Sequence, residues 1–116
     1  MKLETTVPIY LQVGEEIKKA IVTGKVKPGE KLPSARELAL KYTINPNTAA
    51  RVYQHLEQEG IAMTKRGMGT YVIENQDLTD QIRIGMAQEL VSHFVGNMKE
   101  LGFSEAEIVK LIEEER

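Results

Sequence analysis

The chain has 116 residues, with 15 Lys/Arg, 17 Asp/Glu and no cysteine. That length holds one domain, or a small domain with an appendage. Disulfides, thiolate chemistry and a cysteine zinc site are excluded, and no apolar run approaches the roughly 20 residues that cross a bilayer. The opening MKLETTVPIY lacks the apolar centre of a signal peptide. The expectation is a cytoplasmic protein with no membrane partner. Charge is uneven: residues 1–73 carry 11 Lys/Arg against 7 Asp/Glu, and residues 74–116 carry 4 against 10. The acidic pI near 5.7 therefore conceals a basic first part. A nucleic-acid surface needs a local field of that kind rather than a basic protein.

In chain order, Pro8 suits the start of a first helix, with Ile9, Val13, Ile17, Ala20 and Ile21 as its apolar face and Gly24 as its end. Tyr10 and Leu11 are extra apolar positions that either cover the core edge or meet a second subunit. Gly24–Pro33, GKVKPGEKLP, reads as a turn region with Lys25, Lys27 and Lys31 in or beside it. These lysines suit either a solvated loop or nonspecific attraction of phosphate. Ser34 followed by Glu37 is a capping box, opening a short helix to about Tyr42 with Leu38 and Ala39 inward. Arg36 sits in its first turn, where the helix dipole disfavours a cation. Such an arginine is either a plain surface residue or one placed for phosphate or a base. Thr43 and Ile44 turn the chain into the next helix.

The stretch Asn45–Gly60, NPNTAARVYQHLEQEG, organises the rest. Asn45 is a good N-cap, Pro46 suits the first helical position, and Gly60 supplies the stop. Ala49, Val52, Tyr53 and Leu56 recur at i, i+3, i+4 and i+7, which is one buried stripe. At about 100° per residue, Asn47, Arg51, Gln54 and Gln58 share the opposite side, with no carboxylate on its centre line. Arginine pairs with guanine edges, and Asn or Gln with adenine edges, so this side suits a major groove. A solvated amphipathic helix is the plain alternative. Two short helices joined by a tight turn, the second with a polar stripe, form a helix-turn-helix pattern.

After Gly60, Ile61–Thr64 and Thr70–Ile73 read as two short strands around KRGMG, a loop tipped by Lys65 and Arg66. A hairpin directly after a recognition helix is a wing, whose basic tip suits a minor groove or phosphates. A plain hairpin needs the same glycines. NQDLTD at Asn75–Asp80 marks a fresh start, with Asn75 and Asp77 as N-cap candidates. A long helical pattern then runs to about Leu101, with Leu78, Ile82, Met86, Leu90, Phe94, Met98 and Leu101 in steps of three to four. Ile84, Ala87, Val91 and Val95 widen it. Gly102-Phe103 breaks it, and Ser104 with Glu107 opens a last helix with Ile108, Val109, Leu111 and Ile112 inside. Glu113–Glu115 read as a frayed, solvated tail. Two helices cannot bury so wide a stripe against each other. The remainder must meet a second copy, the favoured reading, or the first domain of the same chain.

His55 and His93 are the only histidines and lack a second ligand at metal spacing. GMG at Gly67–Gly69 has neither the Lys-Ser/Thr nor the setting of a phosphate loop. No nucleophile-base arrangement is indicated, so the expectation is no enzyme activity, no cofactor and no metal.

With these pieces placed, the chain resembles the GntR family of bacterial transcription regulators. The resemblance is carried by PIYLQV at Pro8–Val13, GKVKPGEKLPSARELA at Gly24–Ala39, NPNTAARVYQHLEQEG at Asn45–Gly60 and RGMGTYV at Arg66–Val72. The short C-terminal pair with FSEAEIVKLI is similar to the YtrA subfamily, whose members lack a large effector domain. The resemblance implies a mainly α fold with a small β-hairpin: a winged helix-turn-helix over residues 1–74, then a two-helix dimerisation region over 75–116. It implies a homodimer on a pseudo-palindromic DNA operator, most often repressing its own operon and neighbouring transporter genes. The implied DNA contacts are Ser34 and Arg36 in the LPSxREL motif, then Asn45, Asn47, Thr48 and Arg51. At the wing they are Arg66, Gly67, Gly69 and Thr70, and Lys65 joins them by its charge, as a source of nonspecific phosphate attraction. Thr48 suits a phosphate better than a base, and Pro46 replaces the polar or basic residue of other subfamilies. The expected dimer interface is Ile82, Met86, Leu90, Phe94, Met98, Leu101, Ile108, Leu111 and Ile112. An unidentified small-molecule effector would have to sit at that interface or between the two regions. The alternative is a nonspecific architectural or protein-interaction module, with the acidic half docking a basic partner.

Overall fold

A computed structural model of the chain describes residues 6–115. Residues 1–5, half of the MKLETTVPIY stretch read as lacking a signal-peptide centre, lie outside the described residues. The order of elements is α1 (Ile9–Val22), α2 (Ala35–Tyr42), α3 (Pro46–Gln58), β1 (Ala62–Lys65), β2 (Gly69–Val72), α4 (Leu78–Glu100) and α5 (Glu105–Glu114). This is the expected mainly helical chain with one antiparallel hairpin. Two compact units divide it, the first ending at Ile82 and the second beginning at Arg83.

The first unit is built on α3. Both α1 and α2 pack against it, and β1 follows from it. Its buried residues are Ala49, Val52, Tyr53 and Leu56, the stripe expected from spacing. They meet Val13, Ile17 and Ile21 of α1 and Leu38 and Ala39 of α2 in one core. Removing such side chains from water supplies the main stabilising free energy. Ile9, expected on that face, lies largely exposed at the first position of α1. The face is instead extended sideways by Gly14 and Lys18. Gly14 faces Leu56 of α3, and a Cβ there would stand 3.9 Å from the nearest Leu56 carbon, an ordinary contact.

Local signals set the ends. The Asn45 carboxamide oxygen accepts the Asn47 N–H at 2.8 Å and caps α3, with Pro46 at its first position. The Ser34–Glu37 capping box of α2 and the Ser104–Glu107 box of α5 both close in full. In each, the serine N–H and then the serine hydroxyl, both acting on the glutamate carboxylate, hold its pKa below the ordinary value. The turn between α2 and α3 departs from local preference. Thr43 adopts φ 54 and ψ 52, the left-handed region, and is the one non-glycine residue among those described with positive φ. Ile44 then donates to the Ala39 carbonyl at 2.9 Å, which closes the end of α2.

Gly24–Pro33 is more ordered than the expected solvated loop. Gly29 donates to the Val72 carbonyl at 3.0 Å, Val72 to Glu30 at 2.9 Å, and Leu32 to Thr70 at 2.8 Å. Lys31 pairs antiparallel with Tyr71, and Leu32 is buried. The segment thus covers the outer edge of β2, which would otherwise leave backbone groups unpaired. Two prolines and two glycines masked this short extended run.

The first unit runs past the expected boundary at residue 74. Asn75 accepts from the Asp77 N–H at 2.9 Å and starts the turn into α4, and Leu78 and Ile82 are buried. Within the second unit, the Gly102-Phe103 turn is closed by Phe103 N–H to Met98 O at 3.2 Å and by Lys99–Glu105 at 3.1 Å. Glu113 and Glu114 complete the last turn of α5 rather than fraying. Val109, Leu111 and Ile112, expected inside, are exposed in the single chain, as are Ile84, Leu90, Val91, Phe94 and Leu101. Conversely, Ile82 and Ile108, expected to face a partner, are only 6% and 3% exposed. They offer almost no surface to a second subunit.

Because threonine is branched at Cβ, the left-handed backbone at Thr43 stores roughly 1 kcal/mol of strain. Thr43→Gly should raise the thermal midpoint, stabilising the chain by about 0.5 kcal/mol after the added freedom of the unfolded glycine is counted. A lowered midpoint in a thermal melt would mean that the threonine side chain contributes more than the strain removes.

Candidate nucleic-acid interface

The surface of α3 opposite its buried stripe carries Asn47, Arg51, Gln54 and Gln58, all exposed. No acidic residue lies in the first turn, so no carboxylate there opposes the positive dipole end of the helix. Asn45 is exposed there, but its carboxamide oxygen is committed to the cap. Thr48, in the first turn, is half-buried.

Three polar ties on the flanks of α3 hold its neighbours in place. The Tyr53 hydroxyl donates to the Pro33 carbonyl, fixing the chain just before Ser34 and Arg36. Burial, then the Glu37 carboxylate and Tyr42, raise the Tyr53 phenol pKa well above its usual value, so it stays a donor. Glu57 accepts from the Thr64 hydroxyl of β1, and Thr64 lies 3.3 Å from the Thr70 hydroxyl across the hairpin. On the third side, Lys18 of α1 reaches Glu59 at 2.6 Å and Glu15 at 3.4 Å. Burial opposes the Lys18 charge, but the two carboxylates outweigh it, and its pKa is raised.

The hairpin forms the wing. Lys65 pairs with Gly69 and Thr64 with Thr70 in its register. Met68 N–H donates to Lys65 O at 2.8 Å, closing a tip made of Arg66, Gly67 and Met68, all exposed. Nothing lies within 4 Å of where a Gly67 side chain would begin. Gly69 is different: it has φ +113, and an added Cβ would stand 2.8 Å from Lys31 Cε. Lys31 therefore lies across the hairpin backbone. Its charge also helps to lower the Glu37 carboxyl pKa at the start of α2. Lys65 is held over the Tyr71 ring, 4.3 Å from its centroid.

The expected residues thus fall on three adjoining pieces: Ser34 and Arg36 at the start of α2, Asn45–Arg51 on α3, and Lys65–Thr70 on the wing. Arg36 is exposed, whereas the Ser34 hydroxyl oxygen is engaged by Glu37 N–H at 3.0 Å. Gly69 and Thr70 are half-buried. Lys25 and Lys27 are exposed in the turn after α1. Sequence reasoning missed the roles of Tyr10 and Tyr71. The three-residue tip of the hairpin fixes the register that brings Lys65 diagonal to Tyr71, so that contact was in principle legible. The Tyr10 ring lies beneath the Arg51 guanidinium, 4.0 Å from centroid to Cζ, and nothing in the periodicity of either helix signals this. Among the described residues, no cluster of His, Cys, Asp or Glu is suited to a metal ion, and no helix is long and apolar enough to cross a membrane.

A recognition helix with a polar, carboxylate-free outer face, preceded by a short helix and followed by a basic hairpin, defines a winged helix-turn-helix DNA-binding protein. The family model for bacterial regulatory proteins of the gntR family matches residues 9–72, and the chain belongs to that family. It is 48% identical over 75 residues to the transcriptional repressor YtrA of Bacillus subtilis, covering 65% of this chain and 58% of that protein. A GntR family transcriptional regulator from Listeria monocytogenes superposes with a TM-score of 0.84 at 36% identity, across 97% of this chain and 98% of that one. The DNA-binding domain of AraR, solved in complex with operator ORR3, matches with a TM-score of 0.56 at 32% identity. That match spans 62% of this chain and 87% of the AraR chain. The family and these relatives are regulators of transcription, not enzymes.

The ammonium of Lys65, fixed beside the wing tip, should neutralise one phosphate. Lys65→Ala should then reduce the slope of log affinity against log salt by about one unit, read by binding titrations on duplex DNA. An unchanged slope would remove Lys65 from the interface.

Proposed function

We propose that this protein is a sequence-specific transcriptional repressor that binds a two-fold symmetric DNA operator as a homodimer in the bacterial cytoplasm. The observation that carries the reading is the division of α3. Its Ala49–Val52–Tyr53–Leu56 side is buried, while Asn47, Arg51, Gln54 and Gln58 remain exposed on the opposite face. Arg51, Asn47 and Gln54 match the base edges of a major groove by hydrogen-bonding type. The wing would place Arg66 and Gly67 at the adjacent minor groove, with Lys65 and Lys31 on flanking phosphate. Ser34, Arg36, Thr48 and Thr70 would contact backbone and fix the register. Support also comes from YtrA, which is a repressor, and from AraR, whose domain was solved on its operator.

The dimer is read from α4 and α5. Leu90 and Leu101 are 71% and 74% exposed, and Phe94, Leu111 and Ile112 are exposed with them. Met86 and Met98 are half-buried. A second copy of the 75–116 region would cover these side chains in an isologous interface. Apolar surface of this extent is otherwise an aggregation hazard.

Two measurements test the reading together. Selection from a random duplex library by the full chain should enrich a symmetric motif with half-sites about one helical turn apart. The pair Leu90→Glu and Phe94→Glu, on exposed positions, should yield a folded monomer by sedimentation that no longer enriches both half-sites. Enrichment of no motif by the folded full chain would favour the architectural module. A dimer undisturbed by both changes would place the interface elsewhere.

A further inference from the structure

Arg51 is exposed on α3, yet it is held. Tyr10 of α1 lies between two α3 residues one turn apart. His55 meets the Tyr10 ring edge-on, with centroids 5.6 Å apart and planes at 81°. The Arg51 guanidinium lies over the same ring at 4.0 Å. Further along both helices the contacts continue in the same sense. His55 Nε2 is 3.1 Å from one Glu59 oxygen, and the other Glu59 oxygen receives the buried Lys18 ammonium at 2.6 Å. Tyr10, itself half-buried, is therefore set by the packing of α1 on α3.

Stacking occupies the flat face of a guanidinium and leaves its in-plane N–H groups open. Those are the groups that pair with the O6 and N7 of guanine. A long arginine side chain free in water also loses rotamer entropy when it docks, and one already resting on a ring loses less.

We propose that Tyr10 is a positioning residue for Arg51: its ring fixes the guanidinium plane so that the N–H fork is presented to a base edge. This rests on the reading that α3 enters a major groove. The half-buried Tyr10 at the edge of the core thereby acquires a role in sequence preference without any contact to a base.

The test uses the full chain and the symmetric duplex that the wild type selects, together with every single base-pair replacement in one half-site. Tyr10→Leu should weaken binding about fivefold and flatten preference at the same base pair as Arg51→Ala. In the Arg51→Ala background, Tyr10→Leu should cost nothing further. Tyr10→Phe, which keeps the ring face, should bind within about twofold of the wild type. Tyr10→Leu losses that persist in the Arg51→Ala background, or that fall equally on every base pair, would overturn the proposal, because they mark a merely structural role. Equal losses in Tyr10→Phe and Tyr10→Leu would assign the effect to the hydroxyl and overturn it too. Unaltered binding and base preference in Arg51→Ala would instead overturn the reading of α3, and the positioning role with it, whatever Tyr10→Leu does.

Discussion

Helix α3 has to be rigidly buried along one side and fully open along the other, within 13 residues. Ala49, Val52 and Leu56 are completely enclosed between α1 and α2. A large-to-small change there would cost about 2–4 kcal/mol, a large share of what holds a domain this size together. The same burial fixes the rotation of the helix about its axis. Because side chains recur at about 100°, that rotation decides which residues can face a groove. Core packing and DNA recognition are in this sense one constraint.

Rotation alone does not place a helix relative to its neighbours, and the flanks of α3 supply the rest. Tyr53 reaches the chain before α2, Glu57 reaches the wing through Thr64, and Glu59 reaches α1 through Lys18. The Tyr53 and Lys18 ties start from buried side chains, where water screens them less than at the open surface, whereas Glu57 and Thr64 are both exposed. The acidic residues of α3 are thus absorbed in structural contacts on its borders, and the outward stripe is left with amides and a guanidinium. The segment before α2 joins in by pairing with β2, so that Lys31 lies across Gly69. The cations of the wing and the loop form one neighbourhood because of backbone pairing, not because of sequence proximity.

Most of the winged unit was legible from the sequence because its signals are local. The caps at Ser34 and Asn45, the stripe on α3 and the KRGMG turn each follow from spacing within a few residues, as does the Ser104 cap in the second unit. Three features were not legible, each for a long-range reason. The pairing of Leu32 with Thr70 joins segments 38 positions apart, and proline-glycine content hid it. Burial of Lys18 depends on Glu59, 41 residues away. The Tyr10–Arg51 stack depends on how α1 crosses α3. In the second unit, periodicity over-assigned the interior: Val109, Leu111 and Ile112 share an apolar pattern with Ile108, but the single chain buries only Ile108. A pattern shows which residues prefer to leave water, not which chain they leave it against.

In the proposed complex α3 reads the major groove while the wing lies at the minor groove. Chemical protection by dimethyl sulfate separates the two, because guanine N7 opens to the major groove and adenine N3 to the minor. On the duplex the protein selects, bound full-length chain should protect guanine N7 within each half-site and adenine N3 at its edge. Guanine N7 groups that stay reactive throughout, with the protein shown to be bound, would contradict the placement of α3 in the major groove.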